Sequence, residues 1–201
     1  MLTVGLTGPS GAGKGVVASL FSRFGVPSID TDAVYHDLLL PPSACLDELK
    51  EEFGSEILLP DGTLNRGALA ALVFSEGHEK DLAALNHITH RHILAKTKDI
   101  LASYEAEGIP AVLVDAPQLF ESGFDRECGF ILSVLAPFDL RLARVMARDG
   151  LSEERARARL EASHTDEFFH ERSDAVIVNS GSVDSMESEV RRLLGLWGVT
   201  V

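Results

Sequence analysis

A glycine-rich run closed by a lysine, Gly8-Pro9-Ser10-Gly11-Ala12-Gly13-Lys14, is the stretch of this chain best equipped for chemistry. Its G-x-x-x-x-G-K spacing suits an anion. Glycines let the backbone wind so that several N–H groups point inward, and a helix starting behind them adds unpaired N–H groups and the positive end of its dipole. Lys14 would meet the outer phosphates of a nucleoside triphosphate as a point charge. The flanks are those the motif needs: Leu2-Thr3-Val4-Gly5-Leu6-Thr7 reads as a buried strand and Val16-Val17-Ala18-Ser19-Leu20-Phe21 as the opening of a helix. With both flanks and Lys14 in place, a turn that merely joins strand to helix is the weaker reading. Gly8, Ser10, Gly11, Ala12, Gly13, Lys14, Gly15 and Val16 are therefore the nucleotide-binding candidates. Gly15 breaks the pattern. Ser or Thr normally follows the lysine and offers Mg²⁺ its hydroxyl, whereas glycine offers no ligand and costs about 1 kcal/mol against Ala in a helix.

Carboxylates stand where such a cradle could use them. Val26-Pro27-Ser28-Ile29 reads as a short strand that delivers Asp30-Thr31-Asp32 to its C-terminal end, the edge at which ligands sit in open α/β sheets. The strand-end reading expects Asp30 and Asp32 on opposite sides, with only one of them facing the loop. Asp32 is favoured to accept a hydroxyl proton or hold Mg²⁺; Asp30 divides evenly between such a role and capping the next helix. Asp115 follows the apolar run Ala111-Val112-Leu113-Val114 in the manner of an acid that holds Mg²⁺ directly or through water, with capping of the next turn as its alternative. With no oxygen at Gly15, Asp115 and Asp32 are the remaining metal ligands.

Other polar groups divide between chemistry and surface. His87 and His90 share a helical face with His92 nearby, but no Cys and no H-E-x-x-H pattern completes a zinc site. His90 reads better as a hydrogen-bond donor to substrate or to a helix terminus. Arg144 and Arg148, four apart on one helical face, could clamp a transferring phosphoryl group as charge develops. Arg155, Arg157 and Arg159 read as surface partners of Glu153, Glu154 and Glu161, and His164 and His170 as solvated.

Positioning these residues takes strands alternating with helices, hence a parallel sheet covered on both faces. After the first two strands, residues 33–107 show only helical periodicity, interrupted at Pro41-Pro42 and Pro60-Asp61-Gly62, with Ser43 as a helix cap. Further strands are expected at 111–114, 130–135 and 175–178, with helices over 138–148, behind Ser152, and through Val190, Leu193, Leu194 and Trp197. The 201 residues suffice for one α/β domain with an insertion. No apolar run approaches the roughly 18 residues of a membrane helix and no signal peptide opens the chain, so a cytoplasmic location is expected. Cys45 and Cys128 form no C-x-x-C pair and read as reduced thiols. A net charge of −13 opposes binding to nucleic acid or anionic lipid. An acidic protein that handles polyphosphates must concentrate its positive charge locally, as Arg141, Arg144, Arg148, Arg155, Arg157, Arg159 and Arg172 do here.

In order and spacing, these motifs resemble the dephospho-coenzyme A kinase family. The similarity runs through Leu6-Thr7-Gly8 with its loop, Ile29-Asp30-Thr31-Asp32, Asp61-Gly62-Thr63-Leu64-Asn65-Arg66 and Leu85-Asn86-His87-Ile88-Thr89-His90. It continues in Asp115-Ala116-Pro117-Gln118-Leu119-Phe120-Glu121, Arg144, Arg148-Asp149, Asp174 and Asn179-Ser180-Gly181. The resemblance implies a three-layer α/β/α P-loop kinase core, a helical coenzyme-A-binding insertion over 33–107 and an Arg-rich lid over 138–172. It implies ATP and Mg²⁺ as cofactors and dephospho-coenzyme A as substrate, in the last step of coenzyme A biosynthesis; the sequence leaves the oligomeric state open, with a monomer as the default. Asp32, Lys14 and Arg144 would be catalytic, Arg148 would join the nucleotide site, and Asp32, His36, Arg66, His90, Leu119 and Phe120 would bind substrate. Gly15, His36, Arg91, Ser163 and Phe169 depart from the family pattern, and four of them fall near expected phosphate or substrate contacts. Another small-molecule P-loop kinase, or a catalytically weakened nucleotide-binding protein, are the alternatives.

Overall fold

Strands β1 (Leu2–Thr7), β2 (Ser28–Asp30), β3 (Ala111–Asp115), β4 (Phe130–Leu135) and β5 (Ala175–Val178) form one parallel sheet in the order β2-β3-β1-β4-β5. The strand before the glycine loop is thus the central one, flanked on both sides. Central parallel strands are buried on both faces and read as continuous apolar runs, which is why β1, β3 and β4 were legible. The register sets Leu2 beside Ala111 and Leu6 beside Asp115. Asp115 therefore ends its strand level with the place where the chain leaves β1 for the loop.

The computed structural model describes residues 1–75 and 77–199, in two compact units: Met1–Ile29 with Ser103–Val201, and Asp30–Ala102. In the first, helices α1 (Lys14–Arg23) and α9 (Val183–Leu196) supply Val17, Leu20, Phe21, Val190, Leu193 and Leu194 to a core built on Val4, Leu6, Leu113, Leu132 and Val134. Gly5 alternates to the opposite face, where Leu119 and Cys128 lie so close that a Cβ would meet them at 3.0 and 2.9 Å. The stretch 138–172 holds three helices: α6 (Phe138–Asp149), α7 (Glu153–Glu161) and α8 (Asp166–Arg172). Leu142 and Val145 pack against Ala156 and Leu160, and α8 lies against β4 and β5. Ser152 caps α7 through the Arg155 N–H, as expected. The sequence reading missed α8, although Thr165 ahead of Asp166 and Glu167 is an N-cap followed by first-turn acids; its hydroxyl accepts from the Phe168 N–H at 3.2 Å.

The second unit holds α2 (Thr31–Leu38), α3 (Ala44–Phe53), α4 (Arg66–Val73) and most of α5 (Glu79–Ala106). Its core gathers Leu39, Cys45, Leu49, Phe53, Ile57, Leu69, Val73, Leu85 and Ile88. Ser43 caps α3 and Asn65 caps α4. One expectation needs correction here. β2 stops at Asp30 and α2 starts at Thr31, so Asp32 belongs to the first turn of a helix and not to a strand end. The expectation that Asp30 and Asp32 lie on opposite sides fails for a second reason, since residues two apart on a strand point to the same face.

Candidate functional site

Three glycines give the loop its shape. Gly8, Gly11 and Gly13 have φ of +137°, +77° and +97°, in the region that L-residues with a Cβ avoid. Space forbids side chains as well. A Cβ on Gly8 would come within 2.2 Å of Val134 O, one on Gly11 within 2.7 Å of Arg141 O, and one on Gly13 within 2.2 Å of Asn179 Nδ2. Gly13 is the N-cap of α1 and offers no side-chain oxygen to its first turn. The helix thus presents N-terminal amides without an internal cap, the arrangement that binds anions. Lys14 curls back over the loop and donates from Nζ to Gly8 O at 3.0 Å. Gly15 is exposed with no heavy atom within 4 Å of a Cβ built there. A serine would fit, so the missing hydroxyl is not imposed by crowding. Ser10 is half-buried and Val16 is 41% exposed at the start of α1; Ala12 is wholly buried.

The two arginines of α6 face the loop. Arg144 Nη1 donates to Gly11 O at 3.1 Å and to Ala12 O at 3.3 Å, and its Nη2 donates to Asn179 Oδ1 at 3.5 Å. Arg148 Nη2 donates to Ser10 Oγ at 3.3 Å, while its Nε and Nη2 fork onto the Asp149 carboxylate at 2.7 and 2.8 Å. That fork, with Arg159 behind it at 2.8 Å, holds the Asp149 carboxyl below the ordinary carboxylate range, and the same fork raises the Arg148 guanidinium. Arg159 therefore pairs with Asp149 and not with a glutamate of its own helix; Arg157 pairs with Glu153 as expected. Arg141 is buried beside the Phe138 ring and reaches Asp166 at 3.5 Å. Sequence reasoning missed Asn179 as a loop contact, because its partner Ala12 is remote in the chain: Nδ2 donates to Ala12 O at 2.8 Å.

Beyond the loop, Asp115 is half-buried at the end of β3. Leu119 is wholly buried against Gly5, and Phe120 meets Phe168 edge-on at 5.3 Å. His164, read as solvated, instead stacks on Phe168 at 3.8 Å and bonds Glu121 at 2.8 Å; the Arg172 guanidinium sits 4.6 Å from the same ring. Phe168 thereby links the loop after β3 to the helices of 138–172. Cys128 is half-buried, with its thiol pushed up to about 12 chiefly by burial.

In the second unit Asp30 resolves as a cap: its Oδ1 accepts from the N–H groups of Asp32 and Ala33 at 2.9 and 3.1 Å. That leaves the exposed Asp32 carboxylate in the positive end of α2. His36 and Arg66 come together, Nδ1 to Nη2 at 2.8 Å. His90 is half-buried on α5, while Glu48 accepts from Arg91 and lies 2.8 Å from His92 Nε2; the His92 bond is the first cause of a Glu48 carboxyl held below its ordinary value. Cys45 is buried, its thiol raised to about 11 by burial.

Residues 2–185 match the family model described as dephospho-CoA kinase. A dephospho-CoA kinase of Corynebacterium efficiens is 40% identical over 194 residues, covering 96% of each chain. The Thermus thermophilus protein TT1252 superposes with a TM-score of 0.81 at 35% identity over 97% of each chain. A dephospho-CoA kinase from Campylobacter jejuni gives a TM-score of 0.69 at 26% identity, over 96% of this chain and 95% of that one.

Proposed function

We infer how the site works from one premise: the chain belongs to the dephospho-CoA kinase family. Its activity is transfer of a phosphoryl group from ATP to the ribose 3′-hydroxyl of dephospho-coenzyme A, the last step of coenzyme A synthesis. The observation that carries the reading is the N-terminus of α1, where three positive-φ glycines and a capless first turn meet Lys14 in a chain that such a kinase matches over 96% of its length.

The residues fit a triphosphate. The amides of the glycine loop and the Lys14 ammonium supply positive potential without a mobile side chain except Lys14 itself, so little reorganisation accompanies charge development. Lys14 exchanges its bond to Gly8 O for phosphate oxygen. Arg148, forked on Asp149, adds a second oriented cation beside Ser10. Mg²⁺ would supply neutralisation of the phosphate charge when bound, and the available donors for it are carboxylates and water. Asp115, and in this reading Asp32, would hold it, consistent with a hard cation that keeps several waters. Asp32 also orients the ribose hydroxyl and takes its proton late, since a carboxylate is too weak a base to remove it beforehand. His36, Arg66 and His90 bind the coenzyme portion within residues 33–107, and the 138–172 helices act as the lid that excludes water. Phe120 contributes an aromatic face, and the buried Leu119 supports the strand beneath it. The same reading takes the enzyme as a cytoplasmic monomer that needs neither nucleic acid nor membrane. Among the described residues no helix is long and apolar enough to cross a bilayer.

Incubation with ATP, dephospho-coenzyme A and varied Mg²⁺ tests this directly. The 3′-phosphorylated product is expected, with turnover that requires Mg²⁺. Turnover confined to a nucleoside monophosphate or a sugar would replace the substrate assignment. Metal-independent ATP binding without product would favour the catalytically weakened alternative that Gly15 suggests. In the same assay Asp32→Asn is expected to bind ATP near-normally and to lose at least about a hundredfold in rate.

A further inference from the structure

We propose that Asn179 is a positioning residue for phosphate binding: its carboxamide fixes the Ala12–Gly13 peptide so that the Gly13 N–H faces the anion. The proposal rests on the reading that the glycine loop takes the phosphates of the nucleotide.

A trans peptide holds its C=O and N–H on opposite sides. Whatever grips the Ala12 carbonyl from behind therefore aims the Gly13 N–H forward. Asn179 Nδ2 grips it at 2.8 Å and Arg144 Nη1 at 3.3 Å. Arg144 also donates to Asn179 Oδ1 at 3.5 Å, so the carboxamide is read at both ends, as donor to the loop and acceptor from the guanidinium. This pairing assigns nitrogen to the loop side. Neither aspartate, which lacks the donor, nor leucine, which lacks both groups, reproduces it.

Asn179 is also rigidly mounted. It is 4% exposed, and its backbone N–H donates to Leu135 O at 2.7 Å, carrying the β4–β5 pairing one residue past Val178. The side chain thus rides on the sheet. Its amide fills the space where a Cβ on Gly13 would stand, 2.2 Å away. A loop with three positive-φ glycines has little intrinsic resistance to a peptide flip, since glycine accepts either sign of φ. Flipping the Ala12–Gly13 peptide would strip Asn179 of a buried hydrogen bond, and that loss holds the N–H in place before any ligand arrives.

Two variants test this: Asn179→Asp, which keeps the size and removes the donor, and Asn179→Ala, which removes both groups. Calorimetry would give affinities for ATP, ADP and adenosine, steady-state kinetics the KM for each substrate, and thermal denaturation the folded state. Both variants should weaken ATP and ADP by about tenfold or more. Adenosine affinity and the KM for dephospho-coenzyme A should stay within about twofold, and kcat should fall less than the KM for ATP rises. A merely structural role would instead lower every affinity together, and that result, or unchanged ATP binding in a folded variant, overturns the proposal. If Asn179→Ala does not fold, the isosteric Asn179→Asp decides alone. Failure of the unsubstituted protein to bind ATP would be a different outcome, removing the nucleotide reading beneath the proposal.

Discussion

Two strand-to-helix junctions in this chain solve the same problem in opposite ways. Each starts a helix at the C-terminal end of a parallel strand, and each must satisfy N–H groups that have no partner in the helix. At the start of α2 the chain does it internally, with Asp30 accepting two of those bonds. At the start of α1 it does not: Gly13 has no side chain, and the Gly11 and Ala12 carbonyls ahead of it are held from behind by Arg144 and Asn179. A junction that satisfies itself is a structural part. One that is braced from outside and left without its own cap is shaped for a ligand.

Substituting at the open junction should have the largest effect. Gly13→Ala puts a side chain at a φ of +97° and within 2.2 Å of Asn179 Nδ2. The strained backbone costs on the order of 1–3 kcal/mol and the displaced loop about a hundredfold in kcat/KM for ATP. Denaturant titration and steady-state kinetics read the two effects separately, and a variant with normal kinetics would mean that the loop geometry does not matter. Next comes the closed junction. Asp30→Ala should cost about 1 kcal/mol, a fall in Tm of roughly 2–4 °C, with ATP affinity unchanged. A loss of ATP affinity would show that Asp30 is more than a cap and would dissolve the contrast between the junctions. The smallest effect is expected at Gly15, where the open junction has room to spare. Gly15→Ser should lower the Mg²⁺ concentration for half-maximal rate by a few-fold. An unchanged titration would mean that other oxygens already complete the metal shell.

These junctions also show what a sequence reveals and what it conceals. The loop, its strand and its helix were legible because glycine, lysine and an apolar run carry their meaning locally. Strands β3, β4 and β5 and the caps Ser43 and Ser152 were legible for the same reason. Asp32 was misplaced because a strand end and a helix cap overlap within Asp30-Thr31-Asp32, and three residues do not distinguish period two from a first helical turn. Arg144 was placed on the correct helix, but only the fold shows it turned onto the loop carbonyls. Arg159 finds Asp149, ten residues earlier and on another helix, more readily than Glu161 beside it. His164 read as solvated because stacking on Phe168 and bonding to Glu121 both depend on how α8 packs, and α8 itself went unrecognised. For Arg144 on Gly11, Arg159 on Asp149 and His164 on Glu121, the deciding partner lies outside the local window in which propensity and pattern operate.

The sheet order has a consequence for how the protein is made. The central strand β1 is the first to be synthesised, yet its nearer neighbour begins only at Ala111, across the whole of the helical unit. At ordinary translation speeds β1 waits roughly 5–20 s with both edges unpaired. Prompt collapse of residues 30–102 on their own core would bring β3 to it along a much shorter path than an extended chain of that length. Weakening that helical core should therefore be felt first as aggregation of newly made chains, before any change in the finished enzyme.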